Sequence, residues 1–121
     1  MSKLHEIKRA KKASLLLKTI SSLFYQIVRD DQKLQGLSIT RLDLSPDKSH
    51  CYIFFYIQEG EEAFKSIMEQ LILYKPSLRA AVSRSIAGRY TPELIFKFDT
   101  SFEKSQRIES LITKLKEQGE M

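Results

Sequence analysis

The chain has one cysteine, Cys51, among 121 residues. No intrachain disulfide can form, which fits a reducing compartment. No apolar run comes near the roughly 20 residues that a membrane-spanning helix needs. The first residues, Met1 to Lys12, lack the apolar centre and small-residue cleavage site of a secretory signal. There is no internal repeat, no low-complexity tract and no linker rich in glycine, serine or proline. The common catalytic signatures are missing too: no phosphate loop, no GxGxxG and no H-E-x-x-H. The two histidines, His5 and His50, have no further ligands at metal spacing. His50 and Cys51 are neighbours on a predicted strand, so they point to opposite faces and the imidazole cannot readily activate the thiol. The expectation is no enzyme, no cofactor and no metal site, with Cys51 a small core residue.

What is abundant is ordinary apolar residues and positive charge. The chain is 42% hydrophobic and 29% charged, which suits one globular domain spanning residues 1–121 with its core at about 4–115. Twenty Lys and Arg against fifteen Asp and Glu give a net charge of +5. The pI is about 9.4. That excess favours polyanionic partners, nucleic acid before an anionic membrane.

Periodicity supplies the elements. Ala10, Ala13, Leu17, Ile20, Phe24 and Ile27 recur at spacings of three and four, with Leu16 and Leu23 beside them, predicting one helix over about Leu4 to Arg29. A strand follows at about Leu37 to Leu44. Its alternation slips, and a bulge near Thr40 and Arg41 would put Ile39, Leu42 and Leu44 on one face. Ser45-Pro46-Asp47-Lys48 reads as a turn. The next strand, about His50 to Gln58, places Cys51, Ile53, Phe55 and Ile57 on one face and Tyr52, Phe54 and Tyr56 on the other. The short connection predicts an antiparallel hairpin.

A helix from about Glu61 to Tyr74 is broken by Lys75-Pro76-Ser77. A second starts at once, buries Leu78, Val82 and Ile86, and runs to about Ala87, with Gly88 ending it. Glu93 to Asp99 forms a third strand. A last helix opens with Thr100 and Glu103, spaced as a capping box, and carries Ile108, Leu111, Ile112 and Leu115 as its apolar stripe. The order α-β-β-α-α-β-α predicts an α+β fold with a three-stranded sheet covered by helices on one face, laid out like a type II KH domain.

Several short stretches, in order and on the right elements, resemble the bacterial ribosome-binding factor A family. Arg9-Ala10-Lys11-Lys12 is similar to the family's basic lead into its first helix. Asp31-Gln32-Lys33-Leu34 is similar to its Asp-Pro-Arg-Leu, and Ser45-Pro46-Asp47 to its Ser-x-Asp turn. The most specific match is Leu78-Arg79, then Arg89-Tyr90-Thr91-Pro92-Glu93-Leu94-Ile95-Phe96, then Asp99. The resemblance covers about Lys8 to Leu115. It implies a KH-like fold that binds the small ribosomal subunit and its 16S rRNA. It also implies a role in late maturation, including 5′-end processing, in the cytoplasm, with growth in the cold as the usual setting. Other assembly factors are implied partners.

One departure has a chemical consequence. KH domains hold phosphate with a Gly-x-x-Gly loop between the paired helices, and this family has Ala-x-Gly there. Here the residues are Tyr74-Lys75-Pro76. Proline fixes φ and offers no N–H. Lys75, Ser77 and Arg79 would then grip by side chain and by the free N–H groups of the next helix start.

The candidate RNA contacts are therefore Arg9, Lys11 and Lys12 on the first helix, Lys75, Ser77, Arg79, Ser83 and Arg84 around the paired-helix turn, and Arg89. Arg89 is read equally well as a structural tie, and each basic run as a solvated face. Tyr52, Phe54 and Tyr56 face the open side of the sheet. They suit base stacking less well than an apolar patch covered by the terminal helix, a partner protein or a second copy. A protein-interaction or dimerisation module is thus the rival function. Membrane association through the first helix is a weaker rival. The expectation is a monomer when free, with no membrane partner.

Overall fold

A computed structural model describes residues 3–85 and 91–119. The first helix, α1, spans Lys3–Asp30. Its buried stripe is Leu16, Ile20 and Phe24, flanked by Ala13, Leu23 and Ile27. The stripe centres on Leu16 rather than Leu17, and Ala10 is exposed. A 3-10 turn at Gln32–Leu34 buries Leu34, and Gly36, at φ +86°, turns the chain into the sheet.

Strand β1 (Ser38–Leu44) pairs antiparallel with β2 (His50–Tyr56). The register shifts between Ile39 and Arg41, so Thr40 is the extra residue of a bulge. Ile39, Leu42 and Leu44 consequently share the core face, as the slipped alternation predicts. Between the strands, Asp47 accepts hydrogen bonds from the Ser45 hydroxyl at 2.8 Å, the Ser49 hydroxyl at 2.7 Å and the Ser49 N–H at 3.1 Å. The Ser49 hydroxyl and N–H, then Ser45, pull its carboxyl pKa down to about 2.

The predicted helix after β2 is two short ones. Helix α2 covers Glu61–Ser66 and α3 covers Met68–Ile72. They part at Ile67, whose φ of −97° and ψ of 2° leave the helical region. The break before α4 (Lys75–Ser85) falls at Leu73 and Tyr74. It therefore precedes Lys75-Pro76-Ser77 rather than lying within it. Pro76 stands in the first turn of α4, where a missing N–H costs no helical bond. The predicted contributions of Ile86, Gly88 and Arg89 lie outside the described residues.

Strand β3 (Glu93–Phe98) joins β2 in parallel, giving the sheet order β1-β2-β3. The core lies between the sheet and α1 to α4. Phe55 sits at its centre, with ring centroids 5.3 Å from Phe24, 5.8 Å from Phe64 and 5.3 Å from Phe96.

The last helix, α5 (Thr100–Gly119), differs from expectation in two ways. Its N-cap is Asp99, whose carboxylate accepts the Phe102 N–H at 3.0 Å. Glu103 falls one residue too late for a capping box and pairs with Arg107 at 3.4 Å instead. The helix also leaves the layer that covers the sheet. Only its first turn packs, through Phe102 on Tyr56 at 4.8 Å. Ile108, Leu111, Ile112 and Leu115 are 47–67% exposed, because no element among the described residues lies opposite them.

Candidate nucleic-acid interface

Sequence reasoning singles out the turn between the paired helices, and the structure opens a cleft of about 580 Å³ there. Ile72 of α3, Lys75, Pro76 and Arg79 of α4, Ser49 before β2, and Thr91, Glu93 and Leu94 around β3 line it. Leu78, Ala81 and Val82 bury the opposite side of α4, which turns Arg79 outward. The Lys75 ammonium lies 5.7 Å from the centroid of the Phe96 ring, within reach of a cation–π contact. Two cations against the single carboxylate of Glu93 leave the walls net positive.

The turn is held from outside the cleft. Asp31 accepts the Tyr74 hydroxyl at 2.6 Å, the Gln70 amide at 2.5 Å and the Lys33 N–H at 3.0 Å. The Tyr74 and Gln70 bonds lower the Asp31 pKa, and the bond to Asp31 raises that of Tyr74. Tyr74 immediately precedes Lys75. Asp31 thereby fixes the point at which α4 starts.

Of the other candidates at this turn, Ser77, Ser83 and Arg84 are exposed but do not line the cleft. Arg89 lies outside the described residues. On α1 the three candidates separate. Arg9 and Lys12 are half-buried and about 60° apart around the helix axis, whereas Lys11 is exposed and about 160° from Arg9. One row of phosphates cannot take all three.

The open face of the sheet carries Tyr52, Phe54 and Tyr56, all half-buried. The Arg41 guanidinium lies 3.8 Å from the Phe54 centroid, and the Lys97 ammonium 5.1 Å from that of Tyr52. Arg41 also pairs with Asp43 at 3.1 Å and with Asp99 at 3.3 Å. The terminal helix covers this face only at Tyr56. His50 stacks on Tyr52 and its Nδ1 is 2.8 Å from the Ser49 hydroxyl. Cys51 is fully buried on the other face, and burial, with Asp43 nearby, pushes its thiol up to about 12. Among the described residues no three His, Cys, Asp or Glu side chains converge as metal ligands.

A profile of the ribosome-binding factor A family matches residues 8–112. The chain belongs to the ribosome-binding factor A family. A ribosome-binding factor A of Synechococcus sp. (strain WH7803) is 35% identical over 114 residues, covering 90% of this chain and 81% of the relative. One from Syntrophomonas wolfei is 32% identical, covering 86% of each. Among solved structures, ribosome-binding factor A from Thermus thermophilus superposes with a TM-score of 0.57 at 22% identity, over 73% of this chain and 92% of that one. A Thermotoga maritima protein proposed as a ribosome binding factor A superposes at 0.63 and 21% identity, over 74% and 84%. At those identities the likeness concerns the fold, which is KH-like.

Within this ribosome-binding factor A fold, sequence reasoning found Lys75 and Arg79 but missed their surroundings. Ser49 and Thr91 reach the cleft from two separate loops. Glu93 reads in sequence only as the first residue of a strand. Asp31, Gln70 and Tyr74 are polar residues on three elements, and no local pattern joins them. The resemblance of Asp31-Gln32-Lys33-Leu34 to a family motif was the one signal that Asp31 mattered.

Proposed function

We propose that this protein binds the small ribosomal subunit through its 16S rRNA and assists late maturation, including processing of the 5′ end. The observation that carries this reading is the cleft at the paired-helix turn, where Lys75 and Arg79 stand together at the start of α4 in a KH-like fold. The role is non-catalytic and cytoplasmic, performed by one KH-like domain that is monomeric when free and works beside other assembly factors. Phosphates are held mainly by side chains. Pro76 removes one N–H from the helix start, so Lys75 and Arg79 supply the charge while Ser77 offers a hydroxyl. Arg84 and Ser83, with Arg9 and Lys12 on one side of α1, extend the surface; Lys11 stands apart from them on the outward side of that helix, and Arg89 is a further contact proposed from the sequence.

The test is affinity for purified small subunits and for 16S rRNA. The folded Lys75→Ala/Arg79→Ala variant should bind both more weakly, with unchanged circular dichroism. Unchanged affinity would remove the cleft from the site.

The rival reading, a protein interface on the open sheet face, has one observation in its favour. Arg41 is paired there with Asp43 at 3.1 Å and with Asp99 at 3.3 Å, and it covers one face of the Phe54 ring. Such a face suits a protein partner or a second copy better than RNA. Sedimentation across a concentration range separates dimer from monomer.

A further inference from the structure

The side of α1 turned away from the core is a continuous row. Lys8, Lys11, Leu15, Lys18, Ser22, Tyr25 and Arg29 follow one another at alternating steps of three and four, and every one is exposed. Leu15 and Tyr25 are 56% and 67% exposed. The row lies opposite Leu16, Ile20 and Phe24, so it cannot turn inward without emptying the core. Its four cations carry no acidic neighbour in the row, and Glu6 and Asp30 lie off it. The ion pairs found among the described residues all lie on other elements. No residue of α1 lines the cleft at the start of α4.

From Lys8 to Arg29 the row is about 32 Å long on a single continuous helix. Lys11 and Lys18 are about 10 Å apart along the axis, and Lys18 and Arg29 about 16 Å. A rigid rod with cations at such intervals matches the phosphate rims of a double-helical segment, which is read by shape and backbone across its groove. A flexible single strand would need several aromatic platforms, and Tyr25 is the row's single ring. A membrane surface would need an unbroken apolar face, but cations separate the exposed Leu4, Ile7, Leu15 and Tyr25.

We infer that the outward face of α1 binds the phosphate backbone of a second, double-helical RNA segment, while the α4 cleft holds the first, so that the protein bridges two parts of one RNA. This inference rests on the rRNA-binding reading above.

A biotinylated single-stranded RNA on beads, too short to form a duplex and so able to fill the α4 cleft alone, is loaded with the full chain to test it. A fluorescent RNA duplex of about 16 base pairs is then offered as the second segment. Wild type should capture the duplex. Lys18→Gln/Arg29→Gln, which changes two exposed side chains outside the cleft, should stay on the beads yet lose at least about tenfold in duplex capture. In anisotropy titrations with the duplex alone, the same variant should reduce the log–log salt slope by about 1.8. Lys75→Ala/Arg79→Ala should leave those duplex titrations unchanged. Equal capture by wild type and the α1 variant overturns the inference, as does a bead-bound wild type that captures none. So does flotation with phosphatidylserine vesicles, abolished in the α1 variant, in the absence of duplex binding. Failure of wild type to bind the bead-bound strand, with duplex titrations still sensitive to Lys18 and Arg29, removes the cleft reading and the bridge but keeps the α1 surface.

Discussion

The carboxylate of Asp99 is buried, and burial alone would raise its pKa. The Thr40 hydroxyl at 2.6 Å, the Phe102 N–H and the Arg41 guanidinium outweigh that effect and hold it below the ordinary carboxylate value. The folded protein thus gives up this proton more readily than the unfolded chain. Its contribution to stability is complete above about pH 4 and is lost as pH falls through the folded value. Asp99→Ala should cost about 2–3 kcal/mol at pH 7 by urea denaturation. The gap between variant and wild type should narrow as the titration moves toward pH 3. Cys51 makes a contrasting case. Its buried thiol, pushed up to about 12, should ignore a disulfide reagent at pH 8 until denaturant is added. The place of Cys51 was legible from strand parity. The partners of Asp99 were not, because Thr40 and Arg41 lie nearly sixty residues away and nothing local pairs them.

Among the elements, the bulge in β1 was readable because three apolar residues on mismatched parity need one extra residue to share a face. The end of α3 was misplaced because Pro76 reads as a breaker, whereas Tyr74, anchored by Asp31, sets the turn. Tyr74→Phe keeps the ring and removes that anchor. It should weaken 16S rRNA binding severalfold with little change in circular dichroism, a smaller loss than Lys75→Ala/Arg79→Ala gives. The apolar stripe of α5 was visible in sequence, but periodicity cannot say whether anything faces it. Leu111→Gln/Ile112→Gln should shift stability by less than about 0.5 kcal/mol, the scale of surface changes. Phe55→Ala, at the centre of the core, should cost about 3–5 kcal/mol by the same measurement.

For the whole molecule, composition favoured a basic globular protein and no more. The α-β-β-α-α-β plan, with the Arg89 to Asp99 stretch, supplied the rest of what was legible: a KH-like α+β fold and the family to which the chain belongs. The cleft was legible in its charges and not in its shape, since two loops, two helices and a strand meet to form it. If about five phosphates are neutralised, the affinity for rRNA should fall with a log–log salt slope of roughly −3.5. A slope near zero would speak for the protein-interface reading. The parallel pairing of β2 with β3 has a consequence for how the chain is made. His50 meets Glu93 only after about 40 intervening residues have been threaded through three helices, a long loop to close. During synthesis, the hairpin of β1 and β2 leaves the ribosome with one edge bare. The sheet is completed only when the last quarter of the chain emerges, so the aromatic-rich strand β2 passes through a period in which its edge is open to wrong partners.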